Sequence, residues 1–285
     1  MPIPPPTEPD DRAALPPPRP LARSIVLVGL IVAMTLVSFV WTPHDPTFVD
    51  PQHRLQSPSS DYWFGTDKFG RDVFSQIMVG SRTTVLTGLV AVGVGALIGI
   101  PLGVIAGMSP GFLDQLITRV NDLVLAFPAL LMAIMFAAVY GASTVVAMVA
   151  IGIATIPSFA RLIRSGTLQV MKTEYVMAAR AAGRGPGSIG VRHVLPNVSS
   201  LVIVQASVSF AIAVLAEAAL SFLGLGTPPP TPSWGRMLQE SQELLFVAPT
   251  LAIYPGVAIA VAVLGFNLLG DGLRDYYDPK LEDRR

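Results

Sequence analysis

The 285-residue chain contains no cysteine, which excludes disulfides, thiolate nucleophiles and Cys-ligated metals. Its three histidines, His44, His53 and His193, are scattered, so they form no metal-binding run. Charge is scarce as well: 13% of residues are Asp, Glu, Lys or Arg, against about 25% in a soluble domain. Acidic and basic residues cancel to a formal net charge of zero, and without a basic block there is no nucleic-acid surface. No GxxxxGK[ST] phosphate loop occurs, and Gly93-x-Gly95 followed by Gly99 has neither dinucleotide-loop spacing nor a preceding strand. Nucleotide and cofactor sites are therefore not expected in this chain. What remains is apolar: 52% of the residues are hydrophobic, the composition of a membrane protein.

The first twenty residues, MPIPPPTEPDDRAALPPPRP, are proline-rich and polar and predict a disordered tail. The apolar run that follows has no evident small-residue cleavage site and reads as a retained anchor. A bilayer core about 30 Å thick needs about 20 apolar helical residues, and the chain supplies such stretches at 24–44, 83–113, 123–160, 198–225 and 244–270. The third of these is long enough for two helices broken at Tyr140–Thr144, so the expected fold is all-α with six transmembrane helices. With the N-terminus inside, fourteen Lys and Arg fall on the cytoplasmic side and five on the outer side, which predicts cytoplasmic N and C termini. Gly95, Gly99, Gly103 and Gly107 recur every four residues, making a groove where another helix can approach closely.

One polar interlude stands out on the cytoplasmic side: EYVMAARAAGRGPGSIGVRHVLPN, Glu174 to Asn197. Thr173 can cap a helix that places Glu174 at the positive end of its dipole. Tyr175, Ala178, Ala179 and Ala182 then share one nearly flat face, and Gly183 ends the helix. Gly185-Pro186-Gly187 prevents immediate continuation, and a second short helix runs to the Leu195-Pro196 step. The geometry is that of a narrow knob able to sit in a groove of another protein.

The same stretch resembles the EAA loop of binding-protein-dependent ABC importer permeases, whose generic core is Glu-Ala-Ala, three residues, Gly, nine residues, then Ile-x-Leu-Pro. Aligned on Gly183, the alanines fall on Ala178 and Ala179 and the ending on Leu195 and Pro196, with Met177 and His193 in place of the generic Glu and Ile. The peptide-importer version of the loop reads from Glu174. Phe64-Gly65-Thr66-Asp67 with Gly70–Ser75 and Gly80-Ser81-Arg82, Glu217–Gly226 with Pro232–Gly235, and Asn267–Asp275 with Asp278-Pro279 are similar to C-type dipeptide and oligopeptide permeases. The resemblance spans about 21–279 and implies a type I ABC importer permease fold. It divides the chain into a tail (1–20), a first helix with an extracytoplasmic segment (21–80), a five-helix core (81–272) with a cytoplasmic coupling loop (161–197), and a second tail (273–285).

The resemblance further implies that Glu174, Tyr175, Met177, Ala178, Ala179, Arg180, Ala182, Gly183, Arg192, Leu195 and Pro196 meet an ATPase subunit. ATP and Mg would be bound by those partner subunits and not by this chain. The implied partners are a second, B-type permease subunit, two ABC ATPases, an extracytoplasmic substrate-binding protein, a peptide substrate and membrane lipid. Bulky replacements of Gly183 or Ala179 are expected to uncouple ATP hydrolysis from uptake. Nickel or another small chelate is the alternative cargo, since selectivity in such systems rests largely with the binding protein.

An ion-coupled secondary transporter would want several midplane acids, whereas only Glu217 lies well inside a span. An intramembrane enzyme would need paired aspartates, a Ser-His set or HExxH, and none is present. An intramembrane acid costs about 3 kcal/mol by insertion scales; Glu217 is therefore expected in a structural pairing or at a gate of the translocation pathway, and Asp271 at the inner mouth, against the ATPase or solvated at a helix end. Arg119 and Asp122 are expected to pair across one turn, and Arg161 and Arg164 to snorkel to headgroups. Val73, Phe74, Ile77 and Met78 lie on one face, as in a helix that is interfacial, packs on the partner subunit or meets a substrate-binding protein.

Overall fold

The computed structural model describes residues 19–277. The stretch predicted as a proline-rich tail, except for Arg19 and Pro20, and the Asp278-Pro279 end lie outside the described residues. Within them the chain is helical, without a β-strand. Five helices are long and apolar enough to cross a membrane, and a bent pair makes a sixth candidate crossing.

Helix α1 spans Arg19–Val40 and α2 spans Val73–Met108. At 1.5 Å per residue α2 is about 54 Å long, well beyond a 30 Å apolar core. Its first turns are the segment for which an interfacial helix was one expectation, and that reading is corrected here. Val73, Ile77 and Met78 are buried because Trp234 closes over them, its indole Nε1 donating to the Ile77 carbonyl at 3.0 Å. A face that would have met lipid is covered by protein instead.

The third crossing is also not the straight helix expected from 123 onward. It consists of α3 (Phe112–Ala126) and α4 (Ala129–Tyr140), bent by 81°. Pro128 is the cause: it has no N–H to donate, and it forces Phe127 into an extended conformation at φ −90°, ψ 124°. Gly141, with φ 85°, and Ser143 then form the expected break before α5 (Thr144–Val170). Ser143 caps α5 by accepting from the Val146 N–H.

The glycine stripe of α2 lies against α5. A Cβ built on Gly95 would come within 2.2 Å of Thr155 Oγ1, on Gly99 within 2.6 Å of Phe159 Cβ, on Gly103 within 2.6 Å of the Ala160 carbonyl oxygen, and on Gly107 within 2.6 Å of Thr167 Cβ. The partners advance in step, 95 with 155 through 107 with 167, so α2 and α5 run parallel with their backbones nearly touching.

After α5 come α6 (Glu174–Ala181) and α7 (Pro186–Ile189). A π-helical turn at Gly190–Val194 follows and leads directly into α8 (Leu195–Phe222). Pro196 was expected to end a short helix; in the structure the helix continues through it. Proline cannot donate to the Arg192 carbonyl and its ring crowds that oxygen. The preceding turn widens to π geometry, with the Leu195 N–H bonded to the Gly190 carbonyl, and absorbs the misfit. Helices α9 (Trp234–Ser241) and α10 (Thr250–Tyr277) complete the described residues.

Helix α10 packs between α1 and α8. Gly265 faces Leu27 and Val28, Gly272 faces Leu21, and Phe210 of α8 stacks on Phe266 at 3.8 Å. At the end of the bundle away from residues 171–194, Arg71 is clamped between Asp67, at 2.6 Å, and Glu240, which also takes Arg236 at 2.8 Å. Gln76 donates to the same Asp67 carboxylate at 3.0 Å. This ionic cluster ties the segment before α2 to α9.

Candidate coupling loop and the buried carboxylate

Helix α6 forms where predicted, but its ends are built differently. Thr173 sits at the N-cap position without capping through its side chain; the hydroxyl donates backward to the Val170 carbonyl at 2.6 Å. The C-terminal end is a Schellman motif. Gly183 N–H bonds the Arg180 carbonyl at 2.9 Å and Arg184 N–H bonds the Ala179 carbonyl at 3.1 Å. Gly183 has φ +78°, and a Cβ there would meet no atom within 4 Å. Glycine is thus required by backbone conformation and not by space.

The face that holds α6 to the bundle is not the alanine face. Val176 is 0% exposed and packs with Ile163 and Val170 of α5, Ile189, Val194 and Val198, with Ile100, Val104 and Met108 of α2 alongside. One valine therefore joins the loop to the ends of three long helices. The sequence signal was the one β-branched residue of α6, with the apolar Ile189, Val194 and Val198 following. It was missed because the alanine spacing drew attention to the opposite face.

Of the residues predicted to meet an ATPase, Glu174, Tyr175, Met177, Ala178, Arg180, Ala182, Gly183, Arg192, Leu195 and Pro196 are exposed, and Ala179 is half-buried. Tyr175 and Met177 keep 45% and 53% of their surface. The Tyr175 ring lies 6.0 Å from that of His193, bringing the two arms of the loop together. An apolar cavity of about 350 Å³ is lined jointly by the second arm, at Pro186 to Leu195, and by Ile100–Ser109 at the end of α2.

The basic residues at the end of α5 do not project freely as expected. Arg164 makes a two-pronged contact with Asp114 at 2.5 and 2.7 Å, and Arg161 reaches Asp122 at 3.0 Å. Asp122 consequently does not pair with Arg119, which is exposed. The bend at Pro128 carries α3 across the end of α5, so these carboxylates meet arginines from another helix.

Glu217 and Asp271 are not brought together. Gly270, next to Asp271, lies against Ser207 and Val204 of α8. Glu217 is ten residues further along α8, about 15 Å away at 1.5 Å per residue. Asp271 is exposed, whereas Glu217 is 1% exposed. Glu217 Oε1 accepts from Ser221 Oγ at 2.7 Å and from Thr227 Oγ1 at 3.4 Å. Ser221 Oγ in turn accepts from the Thr227 N–H at 3.0 Å. Its partner Ser221, one turn on, was legible as an i, i+4 pair; Thr227, in the following loop, was not.

Parallel packing of α2 on α5, the bent third crossing and an exposed loop seated on three helix ends define a multi-pass transport subunit. The fold has solved counterparts: in the inward-facing MetNI methionine ABC transporter, one chain superposes with a TM-score of 0.59 at 18% identity, covering 70% of this chain and 95% of that one. Residues 99–283 match the model of the binding-protein-dependent transport system inner membrane component family. The dipeptide transport system permease protein DppC of Alkalihalophilus pseudofirmus is 42% identical over 265 residues, 91% of this chain and 87% of that protein. The glutathione transport system permease protein GsiD of Pectobacterium atrosepticum is 41% identical over 262 residues, 90% and 87% of the two chains. The chain belongs to this family and is the permease subunit of an ABC importer.

Proposed function

We propose that this subunit forms half of the translocation pathway of a peptide importer and that the loop at Glu174–Asn197 is its coupling element. The observation that carries the reading is the two-sidedness of α6: Val176 is sealed into the helix ends while Tyr175, Met177, Ala178 and Ala182 are presented outward. Small side chains on the outward face allow a close fit into a cleft, and the buried valine passes any displacement to α2, α5 and α8. On this reading the loop end of the bundle and both termini are cytoplasmic. The separate ATPase subunits hold ATP and Mg and grip the loop, and their closure rocks the bundle between two openings. A second, B-type permease chain completes the pathway, and an extracytoplasmic binding protein delivers cargo at the opposite end. Relatives named for dipeptide and glutathione transport support a short peptide as that cargo.

Ala178→Trp and Ala182→Trp test the docking face, since both alanines are exposed and neither substitution disturbs the Val176 cluster. Both variants are expected to reach the membrane at wild-type levels and to lose co-purification with the ATPase subunits. Retention of ATPase in both would overturn the assignment. Uptake of labelled di- and tripeptides by cells lacking and regaining this chain tests the cargo; equal uptake in both would refute it.

A further inference from the structure

Helices α5 and α8 are joined at one end by the loop and by the apolar cluster around Val176. At the other end they meet again. Ala147, Ala150 and Ile151 of α5 pack with Ala213 and Leu220 of α8, and Leu225, just past α8, packs against them. Beside this contact lies the Glu217 carboxylate, in the most enclosed polar site of α8. Thr144, the first residue of α5, donates its hydroxyl to Thr227 Oγ1 at 3.3 Å, and that hydroxyl donates onward to Glu217 Oε1. A continuous hydrogen-bonded chain thus runs from α5 through the loop after α8 to a carboxylate on α8.

The surroundings are tight. A Cβ on Gly226 would come within 2.2 Å of Ser221 Oγ, and one on Gly235 within 2.2 Å of the Ala218 carbonyl oxygen. Ser233, which caps α9, is fully buried beside the carboxyl group. Among the described residues Glu217 forms no salt bridge, and Arg71 and Arg236, at the same end of the bundle, are taken up by Asp67 and Glu240. Glu217 is therefore held by hydroxyl groups and not by an ion pair.

We propose that Glu217 is a positioning residue: with Ser221, Thr227 and Thr144 it clamps the far ends of α5 and α8, so that the α5–loop–α8 unit moves as one lever. The inference rests on the coupling role proposed above and adds what that role needs, a tie at the end remote from the motor. Without it, a push at α6 would splay the helix pair instead of moving the far end. The clamp needs an oxygen acceptor at position 217 and a hydroxyl at 144; it does not need a negative charge.

The chain lacks cysteine, so Val145→Cys and Leu223→Cys, at exposed positions on either side of the clamp, can carry a unique spin-label pair. The pair is measured in the assembled importer, with partner subunits freed of reactive cysteine, both nucleotide-free and trapped with ATP and vanadate. Wild type is expected to give one narrow distance, the same in both states. Thr144→Val is expected to raise the separated population about fivefold, the scale of one lost hydrogen bond, and Glu217→Ala, which removes the acceptor of two, by more; both should lower peptide uptake per ATP hydrolysed. Glu217→Gln, which retains an oxygen acceptor, is expected to restore the narrow distance.

Thr144→Val leaves the buried acid in place, so it decides the matter even where Glu217→Ala fails to fold. A wild-type distance that changes on ATP trapping, or a Thr144→Val protein with unaltered distance and coupling ratio, would overturn the clamp. Failure of the ATPases to bind would sink the docking role alone, because the nucleotide-free comparison of wild type and variants would still report on the clamp.

Discussion

Replacing Val176 by Ala removes two methyl groups from a position with no exposed surface. At about 0.8 kcal/mol per buried carbon, the lost transfer free energy is about 1.6 kcal/mol before any cavity contribution. An equilibrium between seated and unseated α6 would shift about fifteenfold toward the unseated form. The rest of the inner cluster, Ile163, Val170, Ile189, Val194 and Val198, would stay in place, because it also joins α5 to α8 directly. The perturbation is consequently local: membrane level and helix content should be close to wild type.

Two readouts follow for Val176→Ala. Amide hydrogen exchange across 174–181 should quicken about fifteenfold if seating is the protecting step. Peptide uptake per ATP hydrolysed should fall, since a loosely seated loop dissipates the motor's displacement. Val176→Ile, which keeps the branched apolar contact, should retain coupling better than the alanine variant. The reasoning would be refuted if Val176→Ala left both exchange in α6 and the coupling ratio unchanged. Lost expression without altered coupling would also refute it, by making Val176 an ordinary core residue.

Gly183→Ala meets no neighbour but forces alanine to φ +78°, at a cost of about 1–2 kcal/mol; it should lower ATPase co-purification without lowering membrane level, as checked by pull-down against membrane immunoblot. Gly99→Leu must displace Phe159 and the Ile156 carbonyl, and should separate α2 from α5 and abolish membrane accumulation. Arg71→Met leaves Asp67 and Glu240 without their shared cation. Removing one partner of such a cluster costs about 3–5 kcal/mol, so the segment before α2 should become sensitive to protease added on its side of the membrane.

The apolar stretches, the glycine periodicity of α2 and the polar interlude were legible because each is a local pattern. Residues four apart on a helix share a face whatever surrounds them, so Gly95 to Gly107 announced a close helix contact without naming α5. The Schellman stop at Gly183 was legible for the same reason. The 81° bend was also locally encoded in Pro128, but a count of apolar residues passes over it, since proline within a long hydrophobic run leaves the length unchanged.

What the amino-acid order by itself determined was the count of apolar crossings, the small-residue groove and the exposed alanine-rich knob, because propensity, helical period and turn chemistry act over a few residues. Only the tertiary structure decided that Val176 and not the alanines anchors the knob, that Arg161 and Arg164 turn to Asp122 and Asp114, and that Thr144 is linked to Glu217 through Thr227. The polar pairings among them join residues 10 to 83 positions apart and are fixed by how whole helices cross, which no short window of sequence contains.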